Sequence, residues 1–188
     1  MILNVLRIAV VGFSLLPVSA LAQETPILVP VADIDAAGTR EDPYPILTLV
    51  PLSDDWTVAV LDVTPDATQL VLDENMFNDP PEAGRQFFMA RITATYEGSS
   101  SDEFDASYRF RAVGPLSVSY STFEDSCGVA PDEVTDAEVF SGGTIEGNIC
   151  WSIKSEDAAG LVMYDDPFTF DDVERVFISL DNDALPDS

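Results

Sequence analysis

The 188-residue sequence carries 34 Asp plus Glu against 8 Lys plus Arg, for a net charge of −26, and it contains no histidine. Such a surface repels nucleic acid and anionic lipid, so neither is expected as a partner. With 46% hydrophobic and 10% aromatic residues, the chain has enough apolar material for a core, which argues against the disorder that high net charge can signal.

The chain opens with MILNVLR, whose one charge is Arg7, followed by an apolar run from Ile8 to Leu16 that Pro17 ends. About nine apolar residues fall far short of the ~20 needed to span a bilayer. The segment reads as a secretory signal peptide over 1–22, with cleavage between Ala22 and Gln23 after the small-x-small run Ala20-Leu21-Ala22; Val18-Ser19-Ala20 is the alternative site. No cysteine lies near either site, so we expect no lipid anchor and no membrane insertion after cleavage. The mature protein is expected outside the cytoplasm, in the periplasm or secreted. Losing the leader removes Arg7 and no acid, so the mature chain is one charge more negative. The plainest reading of that charge is solubility in a salty exterior where repulsion is screened. Calcium is compatible with it and not implied by it.

Residues 23–45 are rich in Pro, Asp and Ala without a sustained period and read as a flexible N-terminal arm, ahead of a single domain over 46–181 and a disordered tail over 182–188. From Trp56 the run WTVAVLDV alternates, with Trp56, Val58 and Val60 on one face and Thr57, Ala59 and Leu61 on the other, as in a strand. Ala67 to Asp73 reads as a second strand, closed by the loop NDPPEAG. From Phe88 to Tyr96 the alternation is clearest. Phe88, Ala90, Ile92, Ala94 and Tyr96 form an apolar face, and Met89, Arg91, Thr93 and Thr95 a wet one. Tyr108, Phe110 and Ala112, opposed to Ser107, Arg109 and Arg111, suggest its paired neighbour, placing Arg91, Arg109 and Arg111 on adjacent wet faces. Leu116 to Tyr120, Ala137 to Phe140, Gly147 to Lys154, Gly160 to Tyr164 and Arg175 to Leu180 read as further strands, and the polar stretch from Ser121 to Ala137 as irregular. Eight or nine short strands with turns about every ten residues and almost no helical periodicity predict an all-β, antiparallel Greek-key β-sandwich. A closed barrel is the alternative.

Two cysteines in an exported chain, Cys127 and Cys150, are expected to form one disulfide. With Ile149, Trp151 and Ile153 facing the core, alternation sends Cys150 to the opposite face, so the bridge should pin the Ser121 to Ala137 segment across the outside of a sheet. Phe77, Phe87, Tyr96, Phe123 and Trp151 are read as core aromatics. Phe87, opposite the apolar face of its strand, is the best exception and the candidate for a partner surface.

Several segments in this order resemble one family: GTREDPYPI from Gly38, WTVAV from Trp56, NMFNDPPEAGRQFFMARITATYEG from Asn75, SCGVAPDE from Ser126, Phe140 to Gly143, and GNICWSI from Gly147. Together they look like bacterial exported proteins with a telokin-like, immunoglobulin-like domain of unknown function, the DUF4352 type, to which a secreted mycobacterial antigen is structurally related. The resemblance spans about Gly38 to Leu180 and implies an immunoglobulin-like β-sandwich outside the cytoplasm, with no catalytic residues carried over. It departs from the family at Leu47, where members often have glycine, and in lacking the N-terminal cysteine that anchors many relatives.

Without histidine, Ser-His-Asp and Cys-His catalysis and histidine-ligated metals are out of reach. A Ser-Lys pair would need Lys154, which reads as a solvated strand end. A glycosidase-type acid pair needs two carboxylates about 5–9 Å apart in a cleft, which a small domain with its acids in turns rarely offers. No enzyme activity and no cofactor are expected. The acidic pairs Asp54-Asp55, Asp165-Asp166, Asp171-Asp172 and Asp181-Asn182-Asp183 read as solubilising turns, with calcium-binding loops as the rival. Two functions from different classes follow: a non-catalytic module binding an unknown protein or glycan of the cell envelope, or an acidic calcium-binding structural or stress-tolerance protein.

Overall fold

A computed structural model describes residues 26–52, 54–166 and 175–186. The leader, the Ala22–Gln23 junction and the Asp171-Asp172 pair lie outside the described residues. In chain order the first strands are β1 (Val29–Pro30), β2 (Thr48–Pro51), β3 (Trp56–Thr64), β4 (Arg85–Tyr96) and β5 (Ser101–Glu103), with helix α1 (Thr68–Glu74) after β3. A one-turn helix, α2 (Ala106–Arg109), leads into β6 (Phe110–Val113) and β7 (Ser119–Ser121). The remainder are β8 (Glu138–Phe140), β9 (Thr144–Lys154), β10 (Val162–Asp165) and β11 (Phe177–Ser179).

Strict alternation makes β4 the spine of the fold. All five residues of its apolar face enter the main core, and it pairs antiparallel with β3 on one side and β9 on the other. With β2 antiparallel to β3, and β1 parallel to β2, the first sheet has the order β1-β2-β3-β4-β9. The second sheet, antiparallel throughout, runs β11-β10-β6-β7. A separate ribbon joins β5 to β8. The main core lies between the inner faces of the two sheets, with Trp56, Phe88, Ile92 and Trp151 from one meeting Phe110, Tyr120, Met163 and Ile178 from the other. Each such side chain contributes about 1.5–3 kcal/mol through burial. The fold is an immunoglobulin-like antiparallel β-sandwich, built as two sheets and not as a barrel.

A β-bulge between Val60 and Asp62 shifts the register of β3 by one residue, which returns Val63 to the core after Trp56, Val58 and Val60.

Two sequence expectations need correction. The segment from Ala67 to Asp73 is not a strand: α1 occupies it, burying Ala67 and Val71, one helical turn apart, against the outer face of the first sheet. Asp66 Oδ1 accepts the Thr68 N–H and helps start the helix. The strands β4 and β6 are not paired, because they lie in different sheets. Ahead of the domain, Tyr44 N–H donates to Phe177 O and Tyr44 O accepts from Ser179 N, covering the outer edge of β11. At the other end, Asn182 exchanges two hydrogen bonds with the backbone of Val63, and Ile46 N–H donates to Ala184 O.

Leu47, the position at which the resembled family often has glycine, adopts φ +64°. An L-residue is strained there by about 1–2 kcal/mol, and its N–H donates to Val60 O at 2.8 Å.

Candidate interaction site

The period of two that puts Ile149, Trp151 and Ile153 in the main core puts Cys150 on the outer face of the first sheet. There it is bonded to Cys127, with Cα atoms 5.9 Å apart. Cys127, Cys150, Phe87, Met89, Ala130, Ala67 and Val71 form a second, smaller core between that face, α1 and the covering segment. Phe87 is therefore buried, at 3% exposure, and is not an exposed aromatic on the surface. Local alternation had opposed it to the core; a second hydrophobic layer, assembled from distant residues, covers it.

The segment from Ser121 to Val134 acts as a strap along the free edge of β9. Ser152 N–H donates to Asp125 O at 2.7 Å, Asn148 N–H to Asp132 O at 2.8 Å, and Val134 N–H to Asn148 O at 3.0 Å. An 11-residue edge strand is an aggregation hazard when its backbone is unpaired, and the strap satisfies part of that edge.

A turn between α1 and β4 leans on the strap. Asn75 starts it, accepting from Phe77 N–H through Oδ1 and from Asn78 N–H through its carbonyl. Asn78 then clamps it: Nδ2 donates to Val71 O at 2.7 Å and to Val129 O at 2.8 Å, and Oδ1 accepts from Val129 N–H at 2.9 Å. Gly128 permits this contact, because its φ is +84° and an added Cβ would stand 2.4 Å from Asn78 Oδ1. The fixed turn holds Met76 at 87% and Phe77 at 83% exposure. Phe77, read from sequence as core, is thus a surface residue. So is Phe123, which stacks on the exposed Tyr108 with centroids 5.4 Å apart. Tyr96 and Trp151 are core, as read.

Beside this turn lies a cleft of about 400 Å³. Phe77, Pro80, Pro81 and Phe87 supply its apolar lining, and Asp79, Glu82, Glu124 and Asp125 its acids. One cation, Arg85, lines it. The guanidinium donates to Asp125 and to both the hydroxyl and the carbonyl of Ser152, and sits 5.6 Å from the centre of the Tyr120 ring.

The arginines expected on adjacent wet faces are dispersed. Arg91 on β4 pairs with Glu146 at 2.8 Å, and Arg111 on β6 with Asp166 at 2.8 Å. Arg109 is buried at the end of α2, because the helical turn breaks the strand alternation and redirects it. It bridges the sheets, holding Asp54 before β3 with two bonds of 2.7 Å and Asp165 on β10 with bonds of 2.7 and 3.0 Å. Burial alone would lower the guanidinium's pKa, but the hydrogen bonds and charges of Asp54 and Asp165 outweigh it and hold it above its ordinary value. A second tie between sheets joins Tyr120 on β7 to the fully buried Asp157 after β9. Burial and that hydrogen bond push the Tyr120 phenol up to about 12.

The acidic pairs in loops are thus largely engaged. Asp54 and Asp165 accept from Arg109, Asp166 from Arg111 and Arg175, and Asp181 Oδ1 from Asp183 N–H. Among the described residues no three metal-ligating side chains gather into a group that could hold an ion, and no helix is long and apolar enough to cross a membrane. Lys154 is exposed at the end of β9. Asn78 and Met76 were not singled out from the sequence; the readable signal was a pair of large apolar residues, Met76-Phe77, between two asparagines ahead of a Pro-Pro turn.

No family model matches the chain, DUF4352 included, and no curated protein does. Solved structures that resemble it include the YcdA protein of Bacillus subtilis, at 12% identity and TM-score 0.47 over 71% of this chain. The chain spans 38% of the length of that protein. The YjhA protein of the same organism matches at 12% identity and TM-score 0.48, over 73% of this chain and 99% of its own. A secreted protein of Mycobacterium tuberculosis, MPT63, matches at 14% identity and TM-score 0.46, over 73% and 95%. At these values the assignment of the fold rests on the sheets described above.

Proposed function

We propose that the protein is a non-catalytic, extracytoplasmic immunoglobulin-like interaction module that binds a protein or glycan of the cell envelope through the Met76–Phe77 turn and its cleft. The observation that carries this reading is the exposure of two large apolar side chains on a turn that Asn78 fixes in place. Rigid, exposed apolar anchors are the features that carry binding energy at interfaces, and fixing them beforehand removes part of the ordering cost of association. Export is supported by the leader-like first 22 residues and by the Cys127–Cys150 bond, which suits an oxidising compartment. Kinship with the exported telokin-like proteins belongs to this same reading, on the residues that carry the resemblance.

The test is capture from envelope extract on immobilised mature protein, compared with a Met76→Ser/Phe77→Ser variant. A component held by the wild type and released by the variant is expected. Retention of nothing by the wild type, or equal retention by both, would count against the module.

A further inference from the structure

We infer that the cleft takes a cationic, extended segment of a partner protein, one with an arginine or lysine next to an apolar residue. This rests on the interaction-module reading and names the partner chemistry of the same site. Charge comes first. Asp79, Glu82 and Glu124 line the cleft and are exposed, and among the described residues none of them forms an ion pair. The resident cation does not compete, because Arg85 is neutralised by Asp125 and bonded to Ser152. An incoming guanidinium or ammonium therefore meets three uncommitted carboxylates, while the net charge of −26 turns away anionic partners.

The apolar part of the ligand has an equally specific place. Phe77, 83% exposed at the cleft, presents a ring face that attracts a cation and an edge that packs an aliphatic neighbour. About 400 Å³ falls within the size range of ~300–1,000 Å³ for sites that enclose small ligands. It admits one long basic side chain and its neighbour, not a folded domain. The Asn78 clamp fixes Phe77 relative to the acids, so the site is formed before the ligand arrives.

A fluorescent hexapeptide of alternating arginine and leucine, titrated into the mature protein in physiological salt and followed by anisotropy, tests this. Arginine amide and a glutamate–leucine hexapeptide serve as comparison ligands. The arginine–leucine peptide is expected to bind, the glutamate–leucine peptide not, and arginine amide more weakly than the hexapeptide. Glu82→Gln/Glu124→Gln should weaken peptide binding about tenfold. Asp35→Asn/Asp183→Asn removes the same charge from exposed positions that do not line the cleft, and should change binding less than twofold. Asn78→Ala should weaken binding with every acid in place. Equal losses from the two charge pairs would reduce the effect to diffuse attraction and overturn the proposal, as would equal binding of the glutamate peptide. If the envelope component needs Phe77 but ignores Glu82 and Glu124, the partner chemistry is wrong and the module stands. If nothing is captured and no peptide binds, both fall.

Discussion

Arg109 sits where strand alternation predicts water, yet it is almost fully buried between two carboxylates from opposite sheets. Its environment was not legible because it is made by Asp54 and Asp165, each more than fifty residues away in sequence. Removing it would leave Asp165 buried without its counter-charge, so Arg109→Met should destabilise the domain by about 3–5 kcal/mol in urea unfolding. Arg109→Lys should recover only part of this, since one ammonium cannot reproduce the paired bonds to both carboxylates. Removing Asp54, 43% exposed, should cost less. Tyr120 makes a separate prediction. Its folded pKa, about 12, exceeds the ordinary tyrosine value of about 10. The native state therefore holds this proton more tightly than the unfolded chain does. The associated stability is complete below about pH 10 and is lost as pH rises through 12. Ultraviolet titration should show one phenol ionising near pH 12, absent in Tyr120→Phe; no late phenol in the wild type would refute it.

At the level of elements, strands with long, strict alternation were readable because their faces follow from the backbone alone, as β4 and β9 show. Short runs were not. The seven residues of α1 fit a strand or a helix, and packing against Phe87 and the disulfide decides between them. The strap along β9 reads as irregular with its disulfide anchor legible, while its backbone attachment to the β9 edge depends on a close approach that sequence hides. At Gly147 an added Cβ would stand 2.7 Å from Val134 N and 2.8 Å from Asp132 O, both backbone atoms of the strap. Gly147→Ala should therefore push the strap off the edge, breaking the bonds between Asn148 and residues 132 and 134. We expect faster amide exchange at Asn148 and Val134 and a melting temperature lower by several degrees, on a cost of about 1–3 kcal/mol. Unchanged exchange at both amides would show that the strap holds by its disulfide and apolar contacts instead.

For the molecule as a whole, the sandwich class was legible from strand count and turn spacing, while the division into sheets depends on which strands meet across tens of residues. The excess of acid acts on the folded state as a unit. A net charge of −26 makes compaction work against self-repulsion. At Glu133, Asp136 and Asp165 burial is the larger cause of a raised pKa and repulsion a smaller one acting in the same direction. Burial raises each carboxyl above its ordinary range, and the neighbouring charges of Asp136, Asp105 and Asp54 respectively push the same way, although a backbone hydrogen bond from Ala130 pulls Glu133 back and Arg109 pulls Asp165 back. With folded pKa values above unfolded ones, the native state binds more protons between the ordinary carboxylate range, near pH 4, and the folded pKa values. Stability in that window falls as pH rises and is gained on acidification. The domain should thus melt at a higher temperature near pH 5 than at pH 7.5. Added sodium chloride should raise the pH 7.5 value and shrink only the repulsive part of the difference, because screening acts between charges and leaves the cost of burial in place. Asp136→Asn should mimic part of the acid effect at pH 7.5 and flatten the slope. Thermal melts at both pH values, in low and high salt, decide it: a lower melting temperature at pH 5 in low salt would mean that carboxylates held by arginine, and not repelled ones, dominate the pH response.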